Sequence, residues 1–293
     1  MKLASFSHAG HTGFAEVVAD TLIPIISGET LLEAIHGAAQ AGVGLNVYLD
    51  GAERGAPMPL VEAELRAPIT PAVREYWCVG LNYLDHVSEG QAVATAAVPQ
   101  GVPDYPSYFT KATLAENAPF GDVPLHAGTT RRLDFEAELA VVIGTGGVDI
   151  PEAEALKHVA GYLCANDISA RDLQRRHGKQ WTKGKSLDGT CPTGPWLVTA
   201  DAIPDPQTLD LRCRLNGETM QASNTQNMMF SVARIIADLS LGMTLIPGDV
   251  ILTGTPQGVG FARKPPVYLA DGDVLETEIA GIGVMRNVIR AGR

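Results

Sequence analysis

Two glutamates one residue apart, Glu136 and Glu138, open an apolar run, Leu139 to Ile143, that reads as a buried strand. On a strand, residues two apart project from the same side, separated by roughly 6.5–7 Å of rise. Two carboxylates placed this way could close on one divalent cation, and without it they would repel and push at least one pKa upward. The plainer alternative is a solvent-facing pair on a strand entering a core. Asp167 ends a second apolar stretch, Gly161 to Ile168. It could be a third ligand, or equally the N-cap of the helix that Ser169-Ala170-Arg171 begins. Three hard carboxylates favour Mg²⁺, Mn²⁺ or Ca²⁺ over zinc, and leave about half of an octahedral shell for water and substrate.

Other residues could complete a reactive site. His86 and Glu89 are three apart and share a helical face, where the carboxylate could hold the imidazole in one tautomer as a general base. A solvated helix face gives the same spacing. Lys185, between Gly184 and Ser186, is either a clamp for a substrate carboxylate or a surface charge. Arg171 and Gln174 form a polar pair at helical spacing. The stretch Thr253-Gly254-Thr255-Pro256 directly follows a buried strand, so its hydroxyls and amides could face a cleft.

The elements that must position these groups are legible in outline. Phe14 to Ile26 alternates as a strand interrupted by Pro24. Ser27-Gly28-Glu29-Thr30 then opens a helix with an apolar stripe of Leu31, Leu32, Ile35 and Ala38 or Ala39. Asp50-Gly51 marks a turn, and the Ala67 to Pro71 stretch is an extended connector, dividing the chain into a small N-terminal α/β module (1–70) and a larger domain (72–293). Glu75 to Tyr83 reads as a strand, and Leu84 to Glu89 as a short helix before an irregular Ala/Pro-rich stretch, 90–106, of a kind that is either a mobile lid or poorly ordered. Further on, Pro151 starts a helix at N1, and Ser169 to His177 is helical in tendency. Asn216-Gly217 is a hairpin turn, and Ser231 caps a helix carrying Val232, Ile235, Ile236 and Leu239. Strands at Gly248–Leu252, Val274–Ile279 and Val284–Ile289 complete the pattern. Strands separated by turns dominate after residue 130, which predicts an α+β, mainly β fold rather than a doubly wound sheet.

Bulk properties narrow the function. With 22 basic and 33 acidic residues the formal charge is −11, which argues against nucleic acid and anionic membranes as partners. No apolar run approaches the roughly 20 residues a bilayer span needs, and the first residues hold no signal-peptide core. Four widely spaced cysteines without a Cys-x-x-Cys motif predict free thiols in a reducing, cytoplasmic setting. Gly184-Lys185-Ser186 is no P-loop, because that motif needs glycine where Lys179 stands, and Gly-x-Gly-x-x-Gly, His-Glu-x-x-His and Gly-x-Ser-x-Gly are absent.

Taken in order, five segments carry a family resemblance: Gly80-Leu81-Asn82-Tyr83-Leu84-Asp85-His86, Phe135-Glu136-Ala137-Glu138-Leu139, Asn166 to Gln174, Gly184-Lys185-Ser186, and Leu252 to Gly260. Over roughly residues 72–290 the chain resembles the fumarylacetoacetate hydrolase superfamily, in its bacterial branch that acts on acylpyruvates and diketo acids. The resemblance implies a β-roll catalytic domain, usually a homodimer, with Mg²⁺ or Mn²⁺ held by Glu136, Glu138 and Asp167. It implies His86 and Glu89 as the water-activating dyad on a lid, Lys185 as a catalytic cation, and Arg171, Gln174 and Thr255 as substrate contacts. Leu84 and Leu187 depart from the family pattern, which more often has a basic or polar residue at the first position and an aromatic one at the second. The implied reaction is hydrolysis of a C–C bond in a 2,4-diketo acid, such as fumarylpyruvate or a diketo-deoxy sugar acid, to pyruvate or a related oxo acid plus a second acid. Decarboxylation of oxaloacetate, or hydration or isomerisation of a 2-oxo-enoate, would use the same enolate cradle.

Overall fold

In the computed structural model, residues 1–26, 30–85, 103–177 and 180–291 are described. The strand Ala137–Ile143 lies in the middle of the larger sheet and is buried along its whole length. Its neighbours explain why. On one side it pairs antiparallel with Val159–Asn166, placing Glu138 opposite Ala165, and on the other with Val250–Leu252, placing Ala140 opposite Leu252. Residues 139, 141 and 143 enter one apolar cluster and residues 140 and 142 another, so both faces of the sheet are covered. That two-sided burial is what a continuous apolar run encodes.

The chain from Leu133 to Ile143 forms two strands rather than one. Leu133–Asp134 pairs separately with Ser169–Ala170, and regular pairing resumes at Ala137. The break is where Asp134 turns its carboxylate onto the backbone, accepting from the N–H groups of Phe135, Gly260 and Phe261.

Beyond Val250–Leu252 the sheet continues in parallel to Tyr76–Gly80 and then antiparallel to Ser107–Lys111. At the other end Val159–Asn166 pairs with Cys191–Thr199, which pairs with Lys2–His8. The N-terminal strands His11–Val18 and Thr21–Ile26 follow as a meander. The first seventy residues thus extend the same sheet, and Ser5 Oγ donates to Pro68 O to fasten the connector. The helix Leu31–Ala41 is opened by a capping box between Thr30 and Glu33, and buries Leu31, Ala34, Ile35 and Ala38.

A second sheet holds Asp210–Leu215, Glu218–Asn224, Val274–Ile279 and Gly283–Arg290, with Asn216-Gly217 turning between the first two. Leu211, Cys213, Leu275, Ile279 and Met285 of this sheet share one core with Leu139, Val141 and Cys164 of the first. Ser231 caps the helix Val232–Leu239, accepting from Arg234 N–H. Pro151 directly precedes, rather than opens, the Glu152–His158 segment, which winds as a 3₁₀ helix. The four cysteines are free and buried. Among the described residues no helix is long and apolar enough to cross a membrane. The mainly β, α+β fold that the alternation predicts is the one observed.

Candidate metal centre

Glu138 lies in the strand Ala137–Ile143, and Glu136 in the break just before it, where its N–H donates to Asn166 Oδ1 at 2.9 Å. Asp167 enters from the end of the neighbouring strand, where its N–H donates to Glu136 O at 2.8 Å. The three acids are 4%, 1% and 0% exposed, which rules out the solvent-facing reading of the glutamate pair. A ligand atom from each lies within 4.8 Å of the others. Asp167 is not a helix cap either: the helix Arg171–Arg176 starts after Ala170.

Three buried cations meet these acids. Lys185 Nζ donates to Glu136 Oε2 and to Asp167 Oδ2, both at 2.6 Å. Arg171 pairs through Nη2 with Glu136 Oε1 at 2.6 Å and through Nε with Asp134 Oδ2 at 2.8 Å. Lys111 donates to Asp167 Oδ1 at 2.7 Å. Glu138 instead accepts from the backbone N–H of Gly254 through Oε2 at 2.6 Å. Lys185 sits at the end of a single turn, Thr182–Lys185, which is docked tightly on the preceding helix. A Cβ at Gly184 would come within 2.4 Å of the Gln174 backbone nitrogen, so glycine is needed for this approach.

The electrostatics are those of a cation site. Burial, and then the charges of Asp167 and Glu136, push the Glu138 carboxyl well above its usual range. Burial disfavours the Lys185 ammonium, but Asp167 and Glu136 outweigh it and the net shift is upward. The same balance, with Glu136 and Asp134 as the anions, raises Arg171. Four buried acids, Asp134, Glu136, Glu138 and Asp167, face three bases, Lys111, Arg171 and Lys185, so the fully ionised cluster carries 3 − 4 = −1. A divalent ion changes this to +1, which complements an anionic ligand. Buried, all-oxygen and one charge in deficit, the donor set fits Mg²⁺ or Mn²⁺.

The remaining expected residues are placed unevenly. Arg171 Nη1 donates to Gln174 Oε1 at 3.1 Å, so this pair forms one unit beside Glu136. The Thr255 hydroxyl donates to Ala137 O at 2.9 Å and accepts from Gln221 Nε2 at 2.8 Å, fastening the 253–256 loop to the strand Ala137–Ile143. His86 and Glu89, and most of the 90–106 stretch, lie outside the described residues. Sequence reasoning passed over Lys111, Asp134 and Gln221, whose partners are 56, 37 and 34 residues away in the chain, with no local spacing to signal them. The buried Tyr83 hydroxyl has no partner among the described residues, and burial and the Glu138 charge both raise its pKa. Behind the Arg171–Arg176 helix, a surface cavity of about 820 Å³ is lined by Arg131, Arg132, Arg175 and Arg176.

Several known proteins are similar to this chain. Residues 75–290 match the family model described as fumarylacetoacetate (FAA) hydrolase C-terminal. A 2,4-didehydro-3-deoxy-L-rhamnonate hydrolase of Sphingomonas sp. (strain SKA58) is 40% identical, covering 100% of this chain and 97% of that protein. The human mitochondrial oxaloacetate tautomerase FAHD2B is 46% identical over 79% of this chain and 71% of its own length. The structure of a fumarylacetoacetate hydrolase from Exiguobacterium antarcticum superposes with a TM-score of 0.83 at 40% identity, covering 100% of both chains.

Proposed function

The chain belongs to the fumarylacetoacetate hydrolase family, and from that premise we propose that it is a Mg²⁺- or Mn²⁺-dependent hydrolase of 2,4-diketo acids. The substrate would be an acylpyruvate or a diketo-deoxy sugar acid, and the products pyruvate or a related oxo acid and a second acid. The observation that carries this reading is the buried triad of Glu136, Glu138 and Asp167 with the Lys185 ammonium against two of its members. The resemblance of the whole chain to a diketo-deoxy sugar-acid hydrolase supports the substrate class.

A divalent cation in the triad supplies Lewis acidity, polarising the 2-oxo group of a bound substrate. The chain's own residues do the rest. Lys185, kept protonated by Asp167 and Glu136, presents a positive donor where negative charge develops on the substrate's oxygen. Arg171, braced by Asp134 and Gln174, adds fixed positive charge beside it. The arginine-lined cavity nearby favours the approach of anions. In this reading His86, with Glu89 as its partner, would take a proton from water as that water adds to the C4 carbonyl. When the C3–C4 bond breaks, its electron pair passes to the pyruvyl fragment as an enolate, which is then protonated at C3.

A second reading is keto–enol tautomerisation of oxaloacetate, favoured by the 46% identity to the human tautomerase. It needs the same enolate stabilisation and no attacking water. One assay series separates the two. The protein is stripped with chelator, restored with Mg²⁺ or Mn²⁺, and offered acylpyruvates, a diketo-deoxy sugar acid and oxaloacetate. Loss of diketone absorbance with one equivalent of oxo acid released is the expected result. Exchange of enol and keto oxaloacetate without any diketone cleavage would overturn the hydrolase reading. Full diketone cleavage by His86→Ala would remove water activation from that residue.

A further inference from the structure

Lys185 Nζ reaches Glu136 Oε2 and Asp167 Oδ2, the oxygens these two acids turn toward the site. Each acid of the triad has a further oxygen, or for Glu138 its one bonded oxygen, held by a different donor of the protein. Arg171 Nη2 takes Glu136 Oε1, Gly254 N–H takes Glu138 Oε2, and Lys111 Nζ takes Asp167 Oδ1. Lys111 is the least expected of the three. Its side chain is 0% exposed, and both of its hydrogen bonds go to Asp167 and the residue after it. Its ammonium also donates to Ile168 O at 3.0 Å, bracketing Asp167 through side chain and following backbone alike. Pairing with Tyr76 in the Tyr76–Gly80 strand fixes where Lys111 enters.

We propose that Lys111 is a positioning residue of the cation site, holding Asp167 so that it offers one oxygen, Oδ2, and never both. The inference rests on the reading that Glu136, Glu138 and Asp167 hold a divalent ion. A carboxylate whose Oδ1 is pinned by a buried ammonium cannot swing to chelate through both oxygens. Denticity matters because Ca²⁺ accepts about 6–8 oxygens and tolerates two-oxygen carboxylates, whereas Mg²⁺ demands a strict octahedron. Glu136, Glu138 and Asp167 giving one oxygen each would hold a divalent ion while keeping room for an oxo-acid substrate. Lys111 thereby sets both the preferred ion and the room left for substrate, through its hold on Asp167.

The test is calorimetric titration of Mg²⁺, Mn²⁺ and Ca²⁺ into the chelator-stripped full chain, unaltered and as Lys111→Met and Lys111→Gln. The unaltered protein is expected to prefer Mg²⁺ and Mn²⁺ to Ca²⁺. Lys111→Met should lose about 10–100-fold in Mg²⁺ affinity, the size usual for removing a group that orients a metal ligand. Ca²⁺ affinity should fall less, so the Mg²⁺:Ca²⁺ ratio moves toward Ca²⁺. Lys111→Gln, whose amide can still donate to Oδ1, should keep more of the original ratio. An equal loss for all ions, with the ratio unchanged, means that Lys111 only supports the fold and overturns the proposal. Should Lys111→Met not fold, Lys111→Gln and the unaltered chain decide, and an unaltered chain binding Ca²⁺ as tightly as Mg²⁺ overturns it too. If the unaltered chain binds neither Mg²⁺ nor Mn²⁺, the metal reading falls first and this inference with it.

Discussion

Gly254 holds Glu138 through its backbone: the Gly254 N–H donates to Glu138 Oε2 at 2.6 Å from a residue with φ +98°. A Cβ at this position would lie 2.7 Å from Asn82 Cβ and 3.1 Å from Val79 O. Gly254→Ala therefore meets an unfavourable φ and a clash together, a cost of roughly 1–3 kcal/mol or more. It should also turn the N–H away from Glu138 and weaken Mn²⁺ binding. Urea unfolding and a Mn²⁺ titration check this, and an alanine variant unchanged in both would show that the contact is incidental.

Arg171 is the next test, because it neutralises two buried carboxylates. Asp134 is 0% exposed and Glu136 4%, and Arg171 pairs with both. Arg171→Leu leaves both without that partner, and breaking a buried pair from one side costs about 3–5 kcal/mol. Arg290→Ala removes a solvent-exposed pair with Asp122 at 3.4 Å and should cost at most about 1 kcal/mol. Denaturant unfolding of the two variants gives the contrast. Similar small losses would mean that water reaches the Arg171 cluster.

How much of this was legible beforehand differs residue by residue. Glu136, Glu138 and Asp167 could be found because strand period and strand ends are local signals. Ser231 and Asn216-Gly217 likewise act within a few residues. The strand Lys2–His8 escaped the sequence reading, which begins its first strand at Phe14, and part of its pairing is to Cys191–Thr199, far along the chain. Lys111 was hidden for the same reason: nothing in Phe109-Thr110-Lys111-Ala112 marks a lysine that will be fully buried against Asp167. The break at Asp134 was hidden because it depends on N–H groups of residues 260 and 261. Long-range hydrogen bonds decide those features, and local pattern does not report them.

A bound ion should stabilise the chain by mass action, since the triad is assembled only in the folded state. At about 100 times Kd the gain is about 2.7 kcal/mol. Thermal melts in a Mg²⁺ or Mn²⁺ series should therefore show Tm rising with the logarithm of ion concentration, and EDTA should reverse it. In Glu138→Gln, which removes one ligand charge, the rise should begin at higher ion concentration. A flat series in the unaltered protein would contradict the metal centre.

Glu116 gives a prediction about pH away from the metal centre. It accepts from Thr70 Oγ1, from the Ala72 N–H at 3.2 Å and from the Tyr76 hydroxyl at 3.3 Å, joining the connector to the strand Tyr76–Gly80. Burial raises its pKa and outweighs the lowering by these hydrogen bonds. A carboxyl whose folded pKa lies above its unfolded value, about 4.3 for glutamate, binds its proton more tightly in the folded chain. Its contribution to stability is then fully present below the unfolded pKa and is lost as pH rises through the folded one. Glu116→Gln cannot ionise, so it should lack this loss. Urea unfolding of both proteins from about pH 4 to about pH 7 should show the unaltered chain losing stability relative to the variant as pH rises. A constant difference across the range would mean that Glu116 titrates alike in the folded and unfolded states, and that its three hydrogen bonds offset its burial completely.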